Sequence, residues 1–300
     1  MLYIKVPAST SNLGPGFDSI GMAVNIYLEL EVEESNEWDI QHLGEVLSEL
    51  SNDENHYIRK MCEHFMTHFE LEHKAFKIIM YSDIPLARGL GSSGSALIAS
   101  LEIINHFYQL NLSKEERIRI LSEIEGHPDN VAPSIKGGIV AGYFNHATNE
   151  TVSLSVPVIK WPIMVVIPNY ELKTEEARDV LPDNMAFDEA VKAGAIGNML
   201  VAALFAKDYS ILGKMMMNDL YHEQYRAHLV PHFKRVKDVI TDNCYAFLSG
   251  AGPSIFIVCH PDYYDENRFN LLKLPDCEVK SIEPDQEGVI TFEKDGHMLN

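Results

Sequence analysis

Pro85-Leu-Ala-Arg-Gly-Leu-Gly-Ser-Ser-Gly-Ser95 decides the reading of this chain, because six of the seven positions from Gly89 to Ser95 are Gly or Ser. With so little side-chain bulk, main-chain N–H groups can converge on one anion. The segment that follows is helical in period: Leu97, Ile98, Leu101, Ile104, Phe107 and Tyr108 recur at three- and four-residue steps. Its positive N-terminal end therefore points at the same place as the bare amides, and a phosphate chain is the ligand that suits both. Ser92, Ser93 and Ser95 are expected to supply hydroxyls around the N-cap, and Ala75–Tyr81 upstream reads as a strand.

Two common phosphate-binding architectures do not fit. A P-loop needs Gly-Lys-Ser/Thr at the helix start, whereas the one basic residue here, Arg88, precedes the glycines. Gly89, Gly91 and Gly94 satisfy Gly-x-Gly-x-x-Gly literally, but that fingerprint needs a strand running into the first glycine and a second strand ending in an acidic residue about 20 positions later. Pro85 stands between strand and loop. Where the second strand is needed, Ser113-Lys-Glu-Glu116 forms a capping box that opens a helix carrying Ile118, Leu121 and Ile124.

Three hundred residues suffice for two domains of ordinary size. A net charge of −20 argues against a nucleic-acid partner, whose backbone most of the surface would repel. It also means that an anionic ligand is drawn in locally, by a divalent cation, Arg88 and backbone dipoles. Cys62, Cys244, Cys259 and Cys277 lie far apart without a Cys-x-x-Cys pair, so reduced thiols are expected, with neither a zinc site nor a disulfide framework. No apolar run is read as membrane-spanning and the N-terminus lacks the apolar core of a signal peptide, so a cytoplasmic location without membrane attachment is expected. His64 and His68 read as a solvated helix face, with no third metal ligand in view.

Strands and helices interleave in the first half: a strand within 22–32, then helices near 53–69, 95–110 and 114–125. A glycine-rich strand at 137–143 precedes two more at 151–156 and 161–167, and a domain boundary is placed near 157–160. Beyond it come helices over 187–205 and from Ile211 to Met217, with the run Met215–Met217 read as core filler. Strands at 245–248 and 255–258 flank a second glycine-rich loop as a hairpin. The mixture predicts an α+β sandwich.

Pro85-x-x-x-Gly-Leu-Gly-Ser-Ser93 resembles the second signature of the GHMP kinases, small-molecule kinases for galactose, homoserine, mevalonate and phosphomevalonate. Val6-Pro-Ala-Ser-Thr-Ser-Asn-Leu-Gly-Pro-Gly-Phe-Asp-Ser-Ile-Gly21 resembles the first signature in its homoserine kinase form, and Ser249-Gly-Ala-Gly-Pro-Ser254 the third. The resemblance spans nearly the whole chain in the expected order. It implies a two-domain α+β fold: an N-terminal ribosomal-protein-like ATP-binding domain over 1–157 and a C-terminal ferredoxin-like domain over 158–300.

It further implies ATP and Mg²⁺ as cofactors, L-homoserine as the acceptor and a homodimer. The nucleotide would lie on Pro85, Leu86, Ala87, Arg88, Gly89, Leu90, Gly91, Ser92, Ser93, Gly94 and Ser95. The metal would take Ser93 and Glu123, with Glu125 as rival, since one hydroxyl and one carboxylate suffice for a cation that keeps its waters. An amino-acid alcohol needs both its charges matched, and a planar guanidinium grips a carboxylate as lysine cannot. The resemblance puts Asn12, Asp18, Arg178 and Arg226 in that role, with Arg178, Asp129 and Asn130 as candidate catalytic residues. No lysine stands between Lys5 and Lys60, where many cousins have one. That matches the homoserine branch, in which a dedicated base is doubted and the hydroxyl proton passes to the γ-phosphate. Another kinase of the superfamily, or a silent nucleotide-binding relative, are the competing expectations.

Overall fold

The computed structural model describes residues 1–48 and 50–294. Two antiparallel-rich sheets organise them. The first is built from β1 (Leu2–Asn12), β2 (Gly16–Ser35), β3 (Asp39–Leu43), β4 (Ala75–Ser82), β5 (Ile139–Asn145), β6 (Glu150–Val156) and a late strand, Ile290–Glu293. Between these strands run α1 (Tyr57–His68), α2 (Ser92–Phe107), α3 (Lys114–Glu125) and α4 (Val131–Lys136). The second sheet holds β7 (Ile163–Pro168), then β8 (Cys244–Leu248), β9 (Ile255–Cys259) and β10 (Cys277–Ile282) in the spatial order β10-β7-β9-β8. Around it lie α5 (Thr174–Asp179), α6 (Phe187–Ala206), α7 (Tyr209–Met216), α8 (Glu223–Arg226), α9 (Pro231–Val239) and α10 (Tyr264–Leu271). The late strand, β11, returns to pair with β1, so the first sheet closes with residues far beyond 158.

The elements follow from their patterns. Leu2, Ile4, Val6 and Ala8 alternate into the core from β1, as period two requires. Helix α3 begins where the capping box puts it, with Ser113 accepting from Glu116 N–H and the Glu116 carboxylate reaching back to Ser113. Leu97, Ile98, Leu101 and Ile104 of α2 are fully buried beneath the first sheet, joining Phe65 and Met66 of α1 and Phe76 of β4 in one core.

One expectation is overturned and a second is narrowed. Cys244 and Cys259 face each other across the β8–β9 register and form a disulfide, Cα–Cα 4.2 Å; a hairpin brings together cysteines whose sequence separation of 15 carries no motif. And one helix among the described residues, α6, has the length and composition to cross a membrane, at a mean hydropathy of 1.4. It packs through Ala193, Leu200, Ala203 and Leu204 while Phe187, Val191 and Phe205 stay exposed. The three charges at its start, Asp188, Glu189 and Lys192, hide its apolar length from a reading that stops at charged residues.

Candidate active site

The two glycine-rich loops interlock. Ser249 Oγ donates to the Gly89 carbonyl at 2.6 Å, and Gly89 and Gly91 hold left-handed backbone, φ 70° and 69°. A Cβ on Gly91 would sit 2.3 Å from Ser9 Oγ, and one on Gly89 2.2 Å from the Ser249 carbonyl oxygen, so neither position accepts a side chain. Gly91 is itself the N-cap of α2, without a side-chain cap. The expected serine capping is therefore absent, which leaves the hydroxyls of Ser92 and Ser93 uncommitted to the helix. Ser95 instead donates its hydroxyl to the Gly91 and Pro7 carbonyls and is buried. The N–H groups of the first helical turn have no partner in the helical ladder and carry its positive pole.

They face a cavity of about 450 Å³ between the two sheets. Ala87, Gly89, Gly91, Ser92, Ser93 and Gly94 form one side, and Asn12, Phe17, Asp18, Arg178 and Arg226 the other. A second cavity of about 380 Å³ shares Ser92 and Ser93 with the first and runs behind the loop among Leu28, Leu47, Tyr57, Met80 and Leu86.

Not every position of the loop turns toward these spaces. Pro85, Arg88, Leu90 and Ser95 line neither. Leu90 is buried in the core. Arg88 donates to the Leu86 carbonyl at 2.7 Å, to Pro168 at 3.1 Å and to Asn169 at 3.4 Å, and its Nη1 lies 3.6 Å from the Glu171 carboxylate, so it staples the loop to the end of β7 and the residues after it rather than turning into the cavity. Glu123 also points elsewhere: its carboxylate accepts from Asn149 Nδ2 at 2.9 Å and pairs with Arg119 on the outer face of α3. Two residues further round that helix, Glu125 enters the cavity wall, and burial raises its carboxyl above the ordinary range.

The far side is an assembly of fixed charges. Asn12 and Asp18 both have positive φ, 76° and 54°, at the end of β1 and the start of β2, on either side of the tight connection over 13–15. Asn12 Nδ2 donates to the Gly250 carbonyl at 3.2 Å and its Oδ1 accepts from Asp18 N at 3.1 Å, which orients the Asp18 carboxylate. Arg178, brought in by α5, forks onto Asp18 through Nη1 and Nη2 at 3.2 and 2.8 Å. Arg226 is buried, with Nε donating to the Ala177 carbonyl at 2.9 Å and Nη1 to Gly250 at 3.0 Å and to a ring nitrogen of His222. Burial, then the like charge of Arg178, lowers its pKa to about 10, which still leaves it a cation at neutral pH. Both guanidinium carbons stand over the Phe17 ring, 5.7 and 5.4 Å from its centre.

Between the two sides, Asp129 is buried and holds His127 Nδ1 at 2.5 Å, with Asn130 Nδ2 3.4 Å from the same oxygen. Burial works against a charged His127, but the Asp129 carboxylate and hydrogen bond, with Asp18 beyond, raise its pKa to about 9. Asn130 accepts from Ser9 at 3.0 Å. Asp18, His127 and Asp129 bring three ligand-type atoms within 4.8 Å of one another.

Thus Asn12, Asp18, Asp129, Asn130, Arg178 and Arg226 share one cavity. Sequence reasoning passed over His127, Phe17 and Lys173, which also line it. The His-x-Asp spacing of His127 and Asp129 was a usable signal, because it sets an imidazole two residues from a carboxylate; Phe17 and Lys173 carried none.

Residues 56–138 match the GHMP kinases N terminal domain and residues 200–268 the GHMP kinases C terminal domain. A homoserine kinase of Staphylococcus saprophyticus subsp. saprophyticus is 42% identical over 295 residues, 97% of each chain. One of Staphylococcus haemolyticus is 46% identical over 258 residues, 85% of each. A solved chain from Listeria monocytogenes, assigned as a homoserine kinase, superposes with a TM-score of 0.82 at 35% identity, covering 98% of this chain and 100% of that one.

Proposed function

The chain belongs to the GHMP kinase family, and from that membership together with the cavity we infer that it is an ATP-dependent homoserine kinase, making O-phospho-L-homoserine on the route to threonine. The observation that carries the inference is one cavity holding, opposite the bare N-terminus of α2, an Asp18 carboxylate and two guanidinium groups. Those are the counter-charges of an ammonium and a carboxylate on one small molecule.

In this reading the triphosphate settles on the amides of Gly91 to Gly94, and the base enters the apolar cavity behind the loop. Asp18, oriented by Asn12, takes the substrate ammonium. Arg178 and Arg226 take its carboxylate, Arg178 sharing itself with Asp18. The remaining hydroxyl then lies toward Asp129, Asn130 and the phosphate loop. Ser93 and Glu125 offer the oxygen donors that Mg²⁺ prefers, and the raised pKa of Glu125 marks a carboxylate that a cation would relieve. When bound there, Mg²⁺ supplies charge neutralisation along the phosphates.

The substrate oxygen forms its bond to the γ-phosphorus as the bond to the ADP oxygen breaks, and the hydroxyl proton goes to the phosphoryl oxygens. Asn130 and Asp129 orient the hydroxyl; both are already held by Ser9 and His127. Catalysis is thereby positioning and electrostatics. The homodimer is carried over from the family resemblance and is read by sedimentation velocity; the cytoplasmic location is carried over from the sequence expectation.

A coupled ADP-release assay across homoserine, mevalonate, galactose and shikimate tests the assignment. Homoserine is expected to dominate kcat/KM; comparable turnover of all four, or none with homoserine, rejects it.

A further inference from the structure

Arg226 does not hold its place alone. Its Nη1 lies 3.2 Å from His222 Nδ1, and the other ring nitrogen, Nε2, lies 3.0 Å from the Gly14 carbonyl oxygen. A carbonyl only accepts and a guanidinium only donates, so the two partners dictate a single state of the ring: proton on Nε2, lone pair on Nδ1. A doubly protonated ring would set Nδ1–H against Nη1–H. His222 is wholly buried, and burial favours its neutral form.

The ring is pinned from the main chain as well. Asp219 accepts the N–H groups of Tyr221, His222 and Glu223 at 3.0, 2.8 and 2.7 Å, fixing the turn that enters α8. Phe17 stacks on the imidazole with centroids 5.3 Å apart and reaches under the Arg226 guanidinium. Gly14 lies in the β1–β2 connection, between Asn12 and Asp18. A single side chain thus joins the arginine assigned to the substrate carboxylate with the turn that carries the aspartate assigned to the ammonium.

We infer that His222 is a positioning residue of the acceptor site, a neutral Nε2–H imidazole that couples Arg226 to the Asn12–Asp18 turn and so fixes the separation between the groups that read the two ends of an α-amino acid. It touches no substrate, and its role rests on the homoserine reading only for the identity of what is bound. The separation matters because a carboxylate and an ammonium on one carbon have a fixed spacing, so if Arg226 is displaced relative to Asp18 by a fraction of an ångström, the site satisfies one of the two charges at the expense of the other.

Three substitutions separate positioning from bulk structure. His222→Leu removes both nitrogens; His222→Asn places an acceptor near the site of Nδ1; His222→Gln reaches Gly14 but does not present that acceptor. Because each amide keeps one of the two links and neither keeps both, KM for homoserine is expected to rise roughly tenfold or more in all three variants, with kcat and KM for ATP within about threefold. A parental KM in the Asn or the Gln variant, which would show that one link suffices, or losses shared by kcat and KM for ATP, overturn the inference. A readout free of substrate runs alongside: long-range ¹H–¹⁵N spectra of the unmutated protein at pH 7 should show the His222 ring as the Nε2–H tautomer. A doubly protonated ring, or an Nδ1–H tautomer, rejects the positioning role even where homoserine is the substrate. If homoserine is not turned over while the tautomer is as stated, the substrate assignment fails and the Arg226–His222–Gly14 linkage stands.

Discussion

Replacing Arg178 by Ala should damage recognition far more than folding, and the size of each effect follows from where the side chain lies. In the free protein the guanidinium is about two-fifths exposed (40%) and its bidentate partner Asp18 is similarly open (35%), so the pair contributes to stability no more than the roughly 0–1 kcal/mol of an exposed ion pair. With an amino acid bound the same fork adds charge-assisted hydrogen bonds to a carboxylate in a closing cavity, where each is worth about 1.5–3 kcal/mol. A total of about 3 kcal/mol corresponds to a fall in kcat/KM of roughly 150-fold. The assay is a cycle between residue and substrate. ADP release is followed for the parent and Arg178→Ala with L-homoserine and with 3-aminopropan-1-ol, which keeps the hydroxyl and the ammonium and lacks the carboxylate. The truncated alcohol is a poor substrate for both proteins and should lose less than about threefold on mutation, while homoserine loses about two orders of magnitude. Equal losses for both substrates would show that Arg178 serves Asp18 or the fold rather than a carboxylate, and would refute the two-ended recognition argued above.

Three further outcomes are expected. Gly91→Ala imposes left-handed backbone on a residue with a Cβ, about 1–2 kcal/mol, and drives that Cβ onto Ser9 Oγ, detaching Ser9 from Asn130; KM for ATP should rise at least about tenfold, and an unchanged KM with an unchanged melting temperature would contradict the cradle. Glu125→Gln should raise the Mg²⁺ concentration for half-maximal activity by about tenfold while Glu123→Gln, whose parent carboxylate serves Asn149 and Arg119, moves it less than about twofold; the reverse order would restore Glu123 as the ligand. The folded state holds the His127 proton up to about pH 9, so its stabilisation is complete below the ordinary histidine value of about 6.5 and is lost as pH rises through about 9, by up to about 3 kcal/mol. Urea midpoints at pH 6 and pH 9.5 should therefore fall further in the parent than in His127→Asn. Buried Glu223, raised to about 8, adds the same pH trend to both proteins and cancels in the comparison; parallel declines would remove the His127–Asp129 ion pair from the account.

Much of this architecture was legible because it is local. The capping box at Ser113, the glycine loop and the hairpin around 249–254 are written in contiguous residues, and each forms where its chemistry requires. What the sequence hides is pairing at a distance. A four-residue strand at 290–293 carries no periodicity of its own, yet β1 has an open edge and takes it; Cys244 and Cys259 become neighbours only when β8 meets β9. The site shows the same division. Asn12, Asp18, Arg178 and Arg226 sit in recognisable motifs, whereas the choice between Glu123 and Glu125 depends on which face of α3 turns inward at its last turn. Two residues along a helix rotate a side chain by more than half a circle, and the αL residue Gly126 then ends the helix just as Glu125 reaches the cavity. Arg88 misleads for a related reason: a cation beside a phosphate loop looks like a ligand until its donors are counted against the carbonyls of Leu86, Pro168 and Asn169 and the carboxylate of Glu171.

The balance of charge inside the cavity explains how so acidic a protein can serve an anionic nucleotide and the carboxylate end of a zwitterionic amino acid. A surface with a net charge of −20 repels a nucleotide at long range, but screening confines that repulsion to about 10 Å at ordinary salt. Inside, the groups facing the substrates are arranged as pairs: Arg178 with Asp18 and His127 with Asp129, each complete before anything binds. Arg226, hydrogen-bonded to backbone carbonyls and a neutral imidazole rather than to a carboxylate, keeps its charge available to a substrate carboxylate. The pairing of Asp129 also bears on the chemistry. Its Oδ1 accepts from His127 and Asn130, which orients the carboxylate, and His127 in its charged form has no lone pair with which to accept a proton. With the first signature lacking a lysine and His127 unable to act as a base, the hydroxyl proton goes, in the proposed reading, to the phosphoryl oxygens. Phosphoryl transfer through a loose transition state tolerates it, because the attacking oxygen needs little added nucleophilicity once it is held in line.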